Sequence, residues 1–147
     1  MRAVLTRVKS ADVAVDGETI GRIGKGFLVL LGVGTADTEA DADRMADKIC
    51  GLRIFEDENG KMNVNPADAG AEMLIISQFT LYADVRSRRP GFTGAARPEQ
   101  AVPLYERVIA RCRERGFAVE TGRFGADMAV SSVNDGPVTI WINTKDL

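Results

Sequence analysis

Ser77, Gln78 and Thr80 set two hydroxyls and a carboxamide around Phe79, within four consecutive residues. They follow Met73-Leu74-Ile75-Ile76, an apolar run of the kind that fills a buried strand. A buried strand that stops in such residues delivers hydroxyl, amide and free backbone N–H groups to one edge of a core. Those groups suit hydrolysis: N–H donors for an oxyanion, with Thr80 or Ser77 as nucleophile or positioner of water. The bland alternative is a strand end whose polar side chains cap backbone groups. A second segment, Asn134-Asp135-Gly136-Pro137, leads into the strand-like run Val138-Thr139-Ile140-Trp141-Ile142. Pro137 has no N–H for a ladder, and Gly136 lets another molecule approach the backbone closely. The residues alone read as a plain turn with a trans bond, because only ~5–6% of X–Pro bonds in folded proteins are cis.

The composition narrows the chemistry. The chain has no histidine, which removes Ser-His and Cys-His nucleophile pairs, histidine general bases and His-based zinc sites. A nucleophilic hydroxyl would need another base. Lys61 or a carboxylate could serve, but nothing in the sequence sets one nearby, so oxyanion stabilisation is favoured over covalent catalysis. The two cysteines, Cys50 and Cys112, fall on apolar helix stripes and read as small buried hydrophobes. No metal or cofactor is expected. Gly24-Lys25-Gly26 and Gly32-Val33-Gly34 lack the lysine and hydroxyl spacing of a phosphate loop. The net charge of −2 leaves no global field for nucleic acid, so any RNA contact must use a local patch. Arg86, Arg88, Arg89 and Arg97 against Asp84 give one loop a local charge of +3. That loop is either solvated or a phosphate-contacting flap. The arginines at 107, 111, 113 and 115 alternate with Glu106 and Glu114 and read as an exposed helix face. Arg7 interrupts an apolar strand, either as an edge residue that snorkels or as an anchor for a backbone carbonyl.

The elements that must position these residues follow from periodicity. Arg2–Ser10 alternates, with Ala3, Leu5 and Arg7 on one face and Val4, Thr6 and Val8 on the other. Val13–Val15, an Asp16-Gly17 turn and Thr19–Ile23 form a hairpin. Phe27–Leu31 is a strand buried on both faces. Thr38 with Asp41 starts a helix that buries Ala42, Met45, Ala46 and Ile49 and ends at Gly51. Leu52–Phe55, Glu72–Gln78, Phe117–Thr121, Met128–Val133 and Val138–Asn143 are expected as strands, with Asn59-Gly60 as a turn. Residues 83–97 form a long loop. A second helix runs to Arg115, and Pro103 should delay its start or bend it. Two helices against seven or eight strands, mostly antiparallel, make a single α+β domain over residues 1–147. No apolar run approaches the ~20 residues of a membrane span. The N-terminal residues enter a strand pattern without a signal-peptide core, so a cytoplasmic location is expected.

Ser77-Gln78-Phe79-Thr80-Leu81 together with Asn134-Asp135-Gly136-Pro137-Val138-Thr139 resemble the motifs of the bacterial D-aminoacyl-tRNA deacylases, the D-tyrosyl-tRNA deacylase family. The resemblance covers essentially the whole chain, from Met1-Arg2-Ala3-Val4-Leu5-Thr6-Arg7-Val8 to Thr139-Ile140-Trp141. It implies a homodimer of three-layer β/β/α domains, barrel-like in their sheets, with active sites at the subunit interface and tRNA as substrate. It implies hydrolysis of the ester joining a D-amino acid, and glycine mischarged on tRNA, to the 3′-terminal adenosine, while the L-ester is spared. It implies a cis Gly136-Pro137 bond that enters the partner's pocket and holds the α-amino group by two carbonyls, locked by Arg7. It further implies that Ser77, Gln78, Phe79 and Thr80 line the site for adenosine and the scissile carbonyl, with Phe124 and Met128 as pocket walls. The substrate's own 2′-hydroxyl would activate water, which fits a chain without histidine. The competing expectations are a non-catalytic RNA- or peptide-binding dimer and a general esterase with Thr80 as nucleophile.

Overall fold

A computed structural model describes residues 1–147. Its frame is a six-stranded sheet in which β2 (Glu18–Ile23), β1 (Arg2–Val15), β3 (Gly26–Gly32), β6 (Glu72–Ser77) and β7 (Val119–Thr121) lie in that order, with β8 (Ala129–Asn143) on the other side of β1. β1 is long enough to serve three partners: β3, β2 and β8, all antiparallel. β3 pairs in parallel with β6, and β6 with β7. β4 (Phe55–Glu56) and β5 (Met62–Val64) form a separate small antiparallel ribbon. The Asp16-Gly17 turn has φ of 51° and 80°, the doubly positive pattern that favours a tight hairpin.

The apolar runs of β3 and β6 are buried on both faces, as parallel strands require. Phe27, Val29, Leu31, Met73 and Ile75 face the main core, which the two helices cover. Leu28, Leu74 and Ile76 face the other way, into a second core with Val8, Ala11, Val13 and Ile23. β1 passes between the cores. Ala3 and Leu5 lie under the helices, and an irregularity between Val8 and Ser10 turns the rest of the strand into the second core. β2 thereby curls over to β7, where a Cβ added to Gly21 would sit 2.9 Å from the Thr121 carbonyl oxygen. The sheet nearly closes on itself, giving the expected β/β/α layering and barrel-like curvature.

Helix α1 (Glu39–Gly51) starts at Thr38, whose N–H donates to the Asp41 carboxylate at 2.9 Å. Helix α2 (Pro98–Glu114) starts at Pro98 and runs through Pro103, without the late start expected from that proline. The α2 arginines do not form a free face. Arg107 and Arg111 both hold Asp43 of α1, at 2.8 and 3.0 Å, and Arg115 holds Asp47 at 2.8 Å. Arg113 donates to the Val119 carbonyl.

Several boundaries differ from expectation, beginning with Arg2–Ser10 and Val13–Val15, which are one strand, β1. The Leu52–Phe55 strand shrinks to Phe55–Glu56, because Arg7 takes the Ile54 carbonyl and Arg53 holds Asn63 instead of a ladder partner. β6 stops at Ser77, one residue early, and β7 begins two residues late, at Val119. The two expected C-terminal strands are one 15-residue strand, β8, and Gly136-Pro137 is no turn between them. Thr6 pairs with Thr139 and Val8 with Asn134, so the single residue Arg7 faces four residues of β8, Asp135 to Val138. The ladder bulges there and does not end.

Candidate active site

Where β6 ends, Gln78 still donates its N–H to the Leu31 carbonyl at 2.8 Å. The chain then tightens into a 3-10 turn, Phe79–Tyr82, closed by Leu81 N–H to the Gln78 carbonyl and Ala83 N–H to the Thr80 carbonyl. The first N–H groups of such a turn have no partner within it. Here the N–H groups of Phe79 and Thr80 donate to no group in the chain. Two adjacent free donors at a strand end make an anion-binding edge. The Gln78 side-chain amide donates to Thr80 Oγ1 at 2.6 Å, which orients both side chains and occupies the hydroxyl.

Ser77, Gln78 and Phe79 line a cleft of about 220 Å³ with Ile76, Met128 and Val130. On the helix side the same three residues meet Phe124 and Tyr105. Phe124 packs against the Tyr105 ring at 6.1 Å. The structure thus brings Ser77, Gln78, Phe79, Phe124 and Met128 together, with Thr80 attached through Gln78. The largest cavity, about 870 Å³ beside α2, borders Phe124 and Tyr105 but none of the polar strand-end residues. The polar strand-end residues thus line the smaller cleft and not the largest cavity. Lys61 lies in the turn between β4 and β5 and lines neither face of it.

Arg7, Gly136 and Pro137 assemble elsewhere. Arg7 is 4% exposed and is an anchor, not a snorkelling edge residue. Its Nη1 donates to the Ile54 carbonyl at 2.6 Å and its Nε to the Asp135 carbonyl at 3.1 Å. The Asp135 carboxylate lies 3.6 Å from the same guanidinium. Gly136 and Pro137 stand exposed beyond this anchor, joined by a cis bond. Gly136 has φ of +130°, and a Cβ there would meet Val138 Cγ2 at 2.8 Å and Arg7 Nη2 at 3.2 Å. Only glycine suits this position. Arg7 pairs with Phe27 of β3, whereas Ser77 pairs with Leu31. The two motifs of one chain are therefore four strand residues apart along β3, about 13 Å, and on opposite sides of it.

Residues that the sequence reading passed over hold the edge in place. The Tyr105 hydroxyl donates to the Ile75 carbonyl at 2.7 Å. Burial pushes that phenol up to about 12, so it remains a donor. Arg2 donates to the Leu81 carbonyl at 2.8 Å and lies over the Tyr82 ring at 4.3 Å. Buried Asp37 accepts from the Gly34 N–H and the Met1 amino group, both at 2.6 Å, and from the Tyr82 hydroxyl at 3.3 Å. Burial, then the charge of Asp37, raises the Tyr82 phenol. A lone aspartate in a loop carries no sequence signal for such a role.

A curled mixed sheet backed by two helices, with two adjacent free N–H donors at one strand end, defines a small β/β/α domain. The model of the D-Tyr-tRNA(Tyr) deacylase family matches residues 4–143, and this chain belongs to that family. The D-aminoacyl-tRNA deacylase of Symbiobacterium thermophilum is 58% identical over 146 residues, covering 99% of this chain and 97% of its own. That of Clostridioides difficile is 56% identical, covering 99% and 98%. Among solved structures, the c-Myc DNA unwinding element binding protein superposes with a TM-score of 0.92 at 42% identity, over 97% of this chain and 98% of that one. A probable eukaryotic D-amino acid tRNA deacylase shares the fold, with a TM-score of 0.83 at 16% identity over 96% and 97% of the two chains.

Proposed function

We propose that this protein hydrolyses the ester between a D-amino acid, or glycine, and the 3′-terminal adenosine of tRNA, and that it spares the L-ester. The observation that carries the reading is the pair of free N–H groups of Phe79 and Thr80 beside the cleft of Ser77, Gln78 and Met128, in a chain of this family. Water adds to the ester carbonyl, and the oxyanion that forms takes those two donors. Each such donor contributes about 3–4 kcal/mol to the transition state. The carbon–oxygen bond to the ribose then breaks, and the 3′-oxygen takes the proton that the water gave up. With no histidine in the chain, the adjacent 2′-hydroxyl relays that proton. The Thr80 hydroxyl already accepts from Gln78 and has no base beside it, which disfavours an acyl-enzyme.

The working unit on this reading is a homodimer. One chain keeps Gly136-Pro137 away from its own Ser77–Thr80 edge, so a second copy must bring the two together. The outer face of β8 supports this: Val130, Val133 and Trp141 are exposed, Trp141 at 52%. Gly136 and Pro137 offer only backbone, so they wall off one direction from Cα whatever the side chain is. An L side chain meets that wall, a D side chain points away from it, and glycine has nothing to exclude. Phe124 and Met128 wall the pocket.

The loop of residues 83–97 lies against the site, with Phe92 edge-on to Phe79 at 5.0 Å. Arg88 and Arg89 are exposed on it, suited to RNA phosphates. Such a protein works in the cytoplasm; no helix here is long and apolar enough to cross a membrane.

The test is turnover of matched D-, L- and glycyl-tRNA. Cleavage of the D- and glycyl-esters with the L-ester intact is the expected result. Binding of tRNA without turnover would favour a non-catalytic RNA-binding dimer, and comparable cleavage of the L-ester would remove the wall.

A further inference from the structure

Cys50 and Cys112 are 62 positions apart in sequence, yet their Sγ atoms lie 3.6 Å apart. Cys50 sits in the last turn of α1 and Cys112 in the last turn of α2, both as free thiols. The deacylation chemistry uses neither. The side-by-side course of the helices keeps the sulfurs facing each other, through the pairs of Arg107 and Arg111 with Asp43 and of Arg115 with Asp47. A disulfide needs sulfurs about 2.05 Å apart, so the remaining approach is about 1.5 Å.

The two thiols are not equivalent. Cys112 is fully buried, whereas Cys50 keeps 7% of its surface exposed. The hydrogen bond with Cys112 holds the Cys50 thiol below its ordinary value against burial, and the nearby Arg115 guanidinium adds to that direction. The same hydrogen bond, with burial, raises Cys112. The outer sulfur is thus the one disposed to react first, with the inner one placed to resolve it.

We propose that Cys50 and Cys112 are an oxidisable dithiol, which hydroperoxides convert into an intramolecular disulfide that staples α1 to α2. The Cys50 thiolate attacks the peroxide, the O–O bond breaks, and a sulfenic acid forms as the departing hydroxide takes a proton to become water (with hydrogen peroxide as oxidant). The Cys112 sulfur then attacks the Cys50 sulfur. The S–S bond forms, the S–O bond breaks, and a second water carries away the Cys112 proton. Two thiols lose two electrons in all, and the peroxide gains them. The closed loop spans α1's end, β4, β5, β6 and the Phe79–Tyr82 turn, so the staple restricts the unfolded chain over the site-bearing half of the sheet.

The test treats the reduced full-length protein with hydrogen peroxide and follows intact mass, peptide mapping and melting temperature. The expected product loses the mass of two hydrogens and yields one peptide linking Cys50 to Cys112. It should melt higher by about 4 °C or more, and dithiothreitol should reverse both changes. In Cys112→Ala, the same treatment should stop at an oxygenated Cys50. Two free thiols surviving in the wild type, oxygen added to Cys50 without a linked peptide, or a bridge between two protomers would overturn the dithiol. A linked peptide with an unchanged melting temperature would overturn the staple.

Discussion

The Thr80 hydroxyl accepts the Gln78 amide at 2.6 Å, and its backbone N–H points free. Its chemistry is therefore that of a backbone donor, which alanine keeps. Thr80→Ala should slow deacylation by no more than about tenfold, the value of one neutral hydrogen bond of ~1 kcal/mol. Removing the terminal 2′-hydroxyl of the tRNA should cost more, about 10²-fold or greater, because a proton relay is lost. A covalent adduct at Thr80, or loss of turnover with the fold intact, would contradict this order. Gly136 behaves in the opposite way, since its backbone tolerates no side chain. Gly136→Ala forces φ of +130° on an L residue and drives a methyl into Val138 and Arg7. Stability should fall by about 1–3 kcal/mol. Turnover of D-aminoacyl-tRNA should fall at least about tenfold, as small misplacements of a binding wall are costly. Thermal melts beside steady-state kinetics separate the two effects.

The two helices are joined by charge as well as by the apolar stripe beneath. The Arg107 hydrogen bond, followed by that of Arg111, holds the Asp43 carboxyl at about 2, below its ordinary 3.8. A carboxyl lowered in the folded state adds stability above its unfolded value and loses that contribution as pH falls through the folded one. Asp43 should thus support the fold nearly fully above about pH 5 and lose most of that contribution by about pH 2. Asp43→Asn should melt slightly below wild type at neutral pH, and the gap should close across that window in melts taken stepwise from pH 7 to pH 2. The effect stays small because the carboxylate is exposed and screened by solvent. A gap as wide at pH 2 as at pH 7 would assign the difference to packing.

For the whole molecule, the separation of the two motifs within one chain makes a direct test of assembly possible. Sedimentation at assay concentration should give two chains. A Gly136 variant and a variant whose Ser77–Thr80 cleft is filled by a bulky side chain, each chosen for lost activity alone, should complement when mixed. A mixed dimer rebuilds one composite site from the two intact halves, so random exchange should restore about a quarter of the wild-type sites. Failure to complement, with exchange demonstrated by mass, would require both motifs to act from one chain. An active monomer would do the same.

Local chemistry made much of this legible before any folding. Periodicity marked both helices and their buried stripes, and the two-sided apolar runs marked β3 and β6 as interior strands. The polar stop after Ile76 marked the end of β6. Those signals are local, because burial periodicity and turn preference act over a few residues. What needed the tertiary structure depends on groups distant in sequence. Arg7 could be an edge cation or an anchor until Ile54 and Asp135 supplied carbonyls to it. Gly136-Pro137 read as a turn because nothing local reveals that β1 runs alongside and carries β8 through a bulge. Asp37, Tyr105 and the meeting of Cys50 with Cys112 follow from how α1, α2 and the sheet are stacked. Sequence determined which residues carry donors, backbone walls and charge. Packing alone decided which of them face each other, because a hydrogen bond or a thiol contact needs its partner within about 3–4 Å and the chain order sets no such distance.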